Sequence, residues 1–372
     1  MKLGILVTII SGFGKKGFYH SQEIGLGKAL AAKGHDVTVY KCLARDKHED
    51  DTEVSARLRV RYFPIPAVGV HGLFDPALLD RDLDGLLVFS DTQIFLPRVY
   101  RWCVKNKVAF VPYVGIAHSA WKKKVMDLLF RAGTLRVYRK LPVIAKSPAV
   151  KDELRALGVE RCEVAPVGLD ETELKTDYAS CDREALRREM GYGPDDVVIG
   201  FVGRLKVEKQ PEEMIDLFGR IKDRKPFRLL MVGEGYLKEK IEEKITASGL
   251  TDRVRLIERV PYEDMWKIHV VCDYFVNLCT REIFGMALLE SVYYRSSAAA
   301  LHAPGPDVIL KDLPGHALCG SMEEIEERLC GQYPDDAALA YSSEELLRRF
   351  SWNIAAGLFI DITEGKEAGT SC

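Results

Sequence analysis

Glu282-Ile283-Phe284-Gly285-Met286-Ala287-Leu288-Leu289-Glu290 is the stretch that decides how this chain is read. An apolar run from Asp273 to Leu278 precedes it and predicts a strand. The pattern from Phe284 or Gly285 to about Tyr294 predicts a helix. In an open parallel sheet such a strand–loop–helix corner lies at the carboxyl edge, where ligands bind. Glu282 falls in the loop, and Glu290 falls about two turns into the helix. Between them the amides of Phe284, Gly285 and Met286 have no intrahelical partner and face an anion at the positive helix end. A ligand with hydroxyls on both sides of a phosphate would meet the amides and both carboxylates. Two glutamates at this spacing are ordinarily solvated charges; the strand before them and the Phe-Gly between them set this pair apart.

Working outward, the alternation of apolar runs and helical patterns recurs in both halves of the chain. Its 372 residues suit two domains rather than one core. The first half reads as strand Leu3–Ile10, a glycine-rich turn, a helix from about Ser21 to Lys33 and a second strand, Asp36–Tyr40. Strands at Leu58–Phe63, Gly85–Phe89, Ala109–Val114, Leu141–Ala145 and Glu163–Pro166 follow, with helices at Asp91–Asn106, Ser119–Ala132 and Pro148–Leu157 between them. A polar stretch, residues 169–196, reads as a linker with one helix. The alternation then restarts: strands Val197–Val202, Phe227–Val232 and Val254–Leu256 with helices Pro211–Asp223, Tyr236–Ser248 and Tyr262–Val270, up to the opening stretch. A last helical stretch is predicted from near Ser343 to about Ile362. Near-continuous apolar strands alternating with helices indicate parallel sheets covered on both faces. The expected domains are 1–168, 197–342 and a C-terminal segment, 343–372.

A net charge of −2 and 47% hydrophobic residues give no general basicity for nucleic acid. Nine scattered cysteines without a C-x-x-C pair read as reduced thiols, which predicts a cytoplasmic protein. The apolar N-terminus lacks a small-residue cleavage site and reads as a buried strand, not a leader.

Gly12-Phe13-Gly14-Lys15-Lys16-Gly17 fits G-x-G-x-x-G after the first strand. Dinucleotide binding also wants a carboxylate at the end of the second strand, and Val39-Tyr40-Lys41 offers none. The loop reads better as one that lets backbone approach a phosphate or sugar, or as a plain tight turn. Strand Val197–Val202 ends in Gly203-Arg204, with Lys209 five residues on. Those cations can neutralise a departing diphosphate without a metal ion. Charge-assisted contacts of this kind contribute roughly 1.5–3 kcal/mol each.

In this order and spacing the pieces resemble the group 1, or family 4, retaining glycosyltransferases. The motifs are Gly203-Arg204-Leu205 with Lys209, then Met231-Val232-Gly233-Glu234-Gly235, then the Glu282–Glu290 block. Pro166 to Asp170, Phe350-Ser351-Trp352, Gly34 to Val39 and the stretch around His118 look similar too. The resemblance implies a GT-B architecture: α/β, two Rossmann-like parallel-sheet domains facing a central cleft, with a C-terminal helix crossing back to the first domain. It implies that Glu290 holds the donor ribose and Glu282 the hydroxyls of the transferred sugar. Arg204 and Lys209 would grip the diphosphate and Ile283 to Met286 would line it, with Gly203 beside them. Gly12 or Gly14 would face the phosphates, Val260 would meet the base, and His118 would lie near the anomeric carbon. The expected donor is a nucleoside diphosphate sugar, a UDP-sugar foremost, with no cofactor and no metal. The chain departs from the family pattern at Arg295-Ser296-Ser297 and Ala303-Pro304-Gly305-Pro306, which leaves base and sugar preference open.

On the acceptor side, eleven basic residues between Arg98 and Lys140 face one acid, Asp127. The helix after His118 carries Trp121, Val125, Leu128 and Leu129 on one face. That pattern suits an anionic lipid surface met through Trp121–Lys124 at the inner membrane face, or a soluble anionic acceptor. It suits equally a helix packing its apolar face on the sheet. A nucleotide-sugar epimerase and a non-catalytic partner subunit of the same architecture are the rival classes.

Overall fold

The computed structural model describes residues 1–10, 21–117 and 124–366. The chain forms two compact units: residues 1–10, 21–170 and 350–366 make one, and residues 171–349 the other.

The first unit carries β1 (Lys2–Val7), β2 (Asp36–Ala44), β3 (Thr52–Ser55), β4 (Leu58–Ile65), the short hairpin of β5 (Ala67–Val68) and β6 (His71–Gly72), β7 (Gly85–Phe89), β8 (Ala109–Val114), β9 (Val143–Ala145) and β10 (Cys162–Val164). Its main sheet has the order β10-β9-β8-β7-β1-β2-β4-β3, parallel except for the edge pair β3–β4. The chain runs outward from β1 through β2, then returns to β1's other side at β7. That reversal is a topological switch point.

The second unit carries β11 (Val197–Val202), β12 (Phe227–Val232), β13 (Val254–Ile257), β14 (Tyr274–Asn277), β15 (Ser297–Leu301) and β16 (Ala317–Cys319). Its sheet has the order β13-β12-β11-β14-β15-β16 and is wholly parallel. Here the direction reverses between β11 and β14. Strands such as Gly85–Phe89 are buried on both faces, the consequence of helices covering a parallel sheet.

Three departures from the expected elements have physical causes. The second strand does not stop at Tyr40: residues 41–44 keep pairing with residues 62–65 of β4. Lys41 therefore lies inside the sheet, its Nζ 2.6 Å from Glu23 Oε1 with both side chains buried. The elements between Tyr294 and the last helical stretch carry no clear sequence signal. Ser297-Ala298-Ala299-Ala300-Leu301 is a fully buried strand built almost wholly from alanine, which carries little strand preference. The last helical stretch is two helices, Asp336–Arg349 and Trp352–Thr363, parted at Phe350-Ser351. Ser351 leaves helical geometry and its hydroxyl accepts from the Asn353 amide, which caps the second helix. The helix Asp336–Arg349 belongs to the second unit; only the chain from Phe350 returns to the first.

That return is tightly fitted. Leu169 N donates to Phe350 O at 2.8 Å, and a Cβ on Gly25 or Gly168 would collide with Trp352. The C-terminal helix thus packs into the first unit, as the resemblance implies.

The helix Lys124–Ala132 departs from the reading in which its apolar face packs on the sheet. Phe130 is buried, as are Leu135, Val137 and Tyr138 just beyond it. Val125, Leu128 and Leu129 are 66%, 65% and 46% exposed. No helix among the described residues is long and apolar enough to cross a membrane.

Candidate functional site

The carboxyl ends of β11 and β14 meet at the second unit's switch point, where the doubly wound architecture opens a crevice for ligands. The loop after β11 is set by backbone contacts. Gly203 N donates to Val232 O at 3.0 Å and Leu205 N to Glu234 O at 2.8 Å. A Cβ on Gly233 would strike the Gly203 carbonyl, so the two loops lie against each other through bare backbone. Val207–Lys209 forms a single tight turn and Pro211 opens the next helix. The turn delivers Lys209 back over Gly203, and its Nζ pairs with Glu282 Oε2. The two side chains are 25% and 13% exposed, so the pair is shielded and still reachable.

Glu282 is fixed by its own loop. Its amide donates to Cys279 O at 3.2 Å, and its carbonyl accepts from Gly305 N at 2.9 Å. A Cβ on Gly305 would collide with Phe284 O, so Ala303-Pro304-Gly305-Pro306 braces the Glu282 turn directly. Gly285 has φ +93°, which favours glycine, and it opens the helix Met286–Tyr293. Its position lies 3.1 Å from Glu282 Cγ, measured from an added Cβ. The amides of Gly285 and Met286 have no acceptor among the described residues. Lys209, Glu282 and the start of this helix thus form one cluster above Gly203. Ile283 is exposed beside it, and Phe284 turns its ring into the protein.

Arg204 lies on the same loop. Its side chain is exposed and has no ion-pair partner among the described residues.

Glu290 is not an open carboxylate. It is 7% exposed, its Oε1 accepts from the Tyr262 hydroxyl at 3.1 Å, and its Oε2 lies 3.4 Å from His269 Nε2. The His269 ring is buried and stacks on Tyr294 with centroids 5.9 Å apart and planes 9° apart. Both ring nitrogens lack a hydrogen-bond partner among the described residues, so the 3.4 Å approach is not a formed hydrogen bond. Burial first, and then the Glu290 carboxylate, push the Tyr262 hydroxyl well above its ordinary range, which keeps it a donor. Tyr262, Trp266, His269, Glu290 and Tyr294 line one small cavity. Val260, two residues before Tyr262, is half-buried against the core of that side.

Sequence reasoning missed Tyr262 and His269. The only signal was an aromatic residue directly after Val260-Pro261, and nothing in one sequence links it to a carboxylate further along the chain. His118, Gly12, Gly14 and the residues from Trp121 to Lys123 lie outside the described residues. Among the described residues no group of three or more His, Cys, Asp or Glu side chains is placed to hold a metal ion.

The fold and this arrangement have relatives. A D-inositol 3-phosphate glycosyltransferase of Nocardia farcinica is 26% identical over 168 residues, 43% of this chain and only 36% of that protein. An uncharacterized glycosyltransferase of Methanocaldococcus jannaschii is 25% identical over 285 residues, 72% of each chain. Among solved structures, Anabaena Alr3699/HepE in complex with UDP and glucose superposes with a TM-score of 0.69 at 16% identity, covering 98% of this chain and 99% of that one. That likeness shows a shared fold, of the GT-B class. Residues 24–173 match the family described as Glycosyltransferase Family 4, and residues 182–329 match Glycosyl transferases group 1. The two matches fall one on each unit, and the chain belongs to the group 1, family 4 glycosyltransferases.

Proposed function

We propose that this chain moves a sugar from a nucleoside diphosphate sugar, a UDP-sugar foremost, to an acceptor hydroxyl with retention of anomeric configuration and without a metal. The observation that carries the reading is the Lys209–Glu282 pair beside the start of the helix Met286–Tyr293, at the carboxyl edge of a switch point. Anabaena Alr3699/HepE, solved with UDP and glucose, shares the fold and adds support for the base.

In this reading Glu282 takes hydroxyls of the transferred sugar, and Lys209 turns from it toward the diphosphate. Arg204, which needs to give up no ion pair among the described residues, joins it. The bond between the anomeric carbon and the diphosphate oxygen breaks as negative charge grows toward Lys209, Arg204 and the amides of Gly285 and Met286. Donors aimed at developing charge accelerate the step rather than only tightening binding. The acceptor oxygen bonds to the same face of the anomeric carbon, and its proton passes to the departing phosphate oxygen. At Glu290 a ribose hydroxyl replaces the Tyr262 hydroxyl as donor.

A thermal-shift panel of UDP-, GDP-, ADP- and dTDP-sugars tests the donor. A ligand at 100 times its dissociation constant adds roughly 2.7 kcal/mol of stability. UDP-sugars are expected to stabilise the chain, and Lys209→Met is expected to abolish most of that gain. A proton spectrum of the product reports the anomer, and turnover is expected to survive a chelator. No stabilisation by any nucleotide sugar would overturn the reading.

The acceptor is read as anionic, lipid-borne or soluble; the Nocardia relative is named for an inositol phosphate. The outward apolar ridge of Val125, Leu128 and Leu129 favours a lipid surface as a second feature. Exposed Arg131, Arg136, Arg139 and Lys140 lie on or just beyond the same helix. Each basic residue near an anionic bilayer contributes about 1 kcal/mol, comparable with burying part of a leucine. The chain is expected to co-float with phosphatidylglycerol vesicles, and the Leu128→Asp, Leu129→Asp double variant is expected to remain in solution. Equal flotation of both would discard the ridge as the contact.

A further inference from the structure

The first unit has a switch point of its own, between β1 and β7, and the carboxyl edge there holds a lysine unlike its neighbours. Lys146 follows β9 directly. Its amide donates to Val114 O at 2.9 Å, so it stands at the ends of β8 and β9 together. Its stem crosses Gly115 so closely that an added Cβ there would lie 2.9 Å from Lys146 Cδ. The ammonium sits 4.7 and 4.9 Å from the ring centroids of Phe89 and Tyr113, and 3.2 Å from Gln22 Oε1.

Three other buried or half-buried lysines of this unit are matched by carboxylates, Lys151 by Glu163 at 3.2 Å among them. Lys41 pairs with Glu23 at 2.6 Å and Lys28 with Asp170 at 2.8 Å. Lys146 has no ion pair among the described residues. The nearby Asp91 spends its Oδ1 on the amides of Gly115 and Ile116, at 2.7 and 3.2 Å. Tyr113, whose ring lies under the ammonium, is fully buried and its hydroxyl has no partner among the described residues. Burial draws the Lys146 ammonium below its ordinary range, against the pull of Asp91 and Glu23. A half-buried cation whose near neighbours are two rings and one amide oxygen is poorly compensated, and a merely structural residue there would be better apolar.

We propose that Lys146 seats an anionic group of the acceptor, a phosphate monoester or a carboxylate, with Gln22 and the Tyr113 hydroxyl beside it. The proposal deepens the glycosyltransferase reading, resting on the assignment of the donor to the second unit and the acceptor to the first. Three donor hydrogens on the ammonium and one neutral acceptor leave two positions for ligand oxygens. The rings give the cation a fixed place without neutralising it.

Inorganic phosphate is the probe, titrated calorimetrically into the full chain already saturated with UDP, so that the diphosphate site is filled. The wild-type chain is expected to bind phosphate, and Lys146→Met to bind it at least about tenfold more weakly, with UDP affinity unchanged. Lys146→Arg keeps the charge and is expected to retain more phosphate affinity than Lys146→Met. Gln22→Glu keeps the lysine and gives it an internal carboxylate; it too is expected to lose phosphate about tenfold, which separates the effect from misfolding. Phosphate affinity unchanged in both Lys146→Met and Gln22→Glu would overturn the proposal. So would a parallel loss of UDP, or no phosphate binding by wild type. Absence of UDP binding would instead strike the donor reading alone, and the phosphate titration is then read in the Lys209→Met chain. Displacement of phosphate by glycerol 3-phosphate identifies a soluble acceptor, displacement only by vesicles containing phosphatidic acid a lipid-borne one, and displacement by neither counts against the site.

Discussion

Glu282→Ala is expected to lower kcat/KM for the nucleotide sugar by about tenfold to a hundredfold while the chain stays folded. A carboxylate bonded to substrate hydroxyls contributes roughly 1.5–3 kcal/mol per contact, and each 1.4 kcal/mol is a factor of ten. The loop should survive the change, because the Glu282 backbone rather than its side chain holds it, through Cys279 O and Gly305 N. Loss of the partly exposed pair with Lys209 should change stability by about 1 kcal/mol or less. Glu282→Gln, which keeps the shape and one acceptor, should fall between. Steady-state rates with a donor found in the thermal-shift panel, beside a melting curve, separate the two effects. Normal turnover in Glu282→Ala would remove this residue from the site and take the assignment of the cluster with it.

The largest loss of stability is expected at the opposite edge of the same sheet. Asp273 stands just before β14. Its Oδ1 accepts from Arg183 at 2.7 Å, and its Oδ2 accepts from Arg187 at 3.0 Å and from the Val198 amide at 2.7 Å. Arg187 is 7% exposed and also donates to the carbonyls of Val271 and Asp196. Asp273→Ala strands that guanidinium without a counter-charge, which costs about 3–5 kcal/mol. In a unit of this size the melting point should fall by roughly 10 °C. An apolar pair, Asp273→Leu with Arg187→Met, should recover part of the loss, since the penalty arises from the unmatched charge. A melting point for Asp273→Ala within a degree or two of wild type would show that the guanidinium finds another partner.

What the sequence disclosed follows from where the physical signal is local. Gly85–Phe89, Ala109–Val114, Val197–Val202 and Phe227–Val232 occur as read, because uninterrupted apolar runs bounded by polar turns report a doubly covered parallel strand. Ser297–Leu301 is no less buried, yet alanine carries no such signature. The break at Phe350-Ser351 hid inside a continuous helical pattern, and the bridge of Ser351 to Leu169 that explains it spans most of the second unit in sequence. At the site, the turns around Gly203 and Gly285 were legible from glycine and strand ends. The order of the motifs, read through the family resemblance, pointed Lys209 toward the Glu282 loop. That Tyr262 closes on Glu290 is a tertiary fact; twenty-eight residues separate them, and neither residue alone announces the other.

The helix Trp352–Thr363 also bears on how the polypeptide is made. Its ribosome has already delivered the 1–170 portion when the niche at Gly25 and Gly168 is still unfilled, because Trp352 has yet to be translated. At about 5–20 residues per second the wait is on the order of ten seconds or more, while the intervening portion emerges. Throughout that interval the first unit lacks the indole that packs against Gly25, so the unit translated second is the first able to complete its own packing.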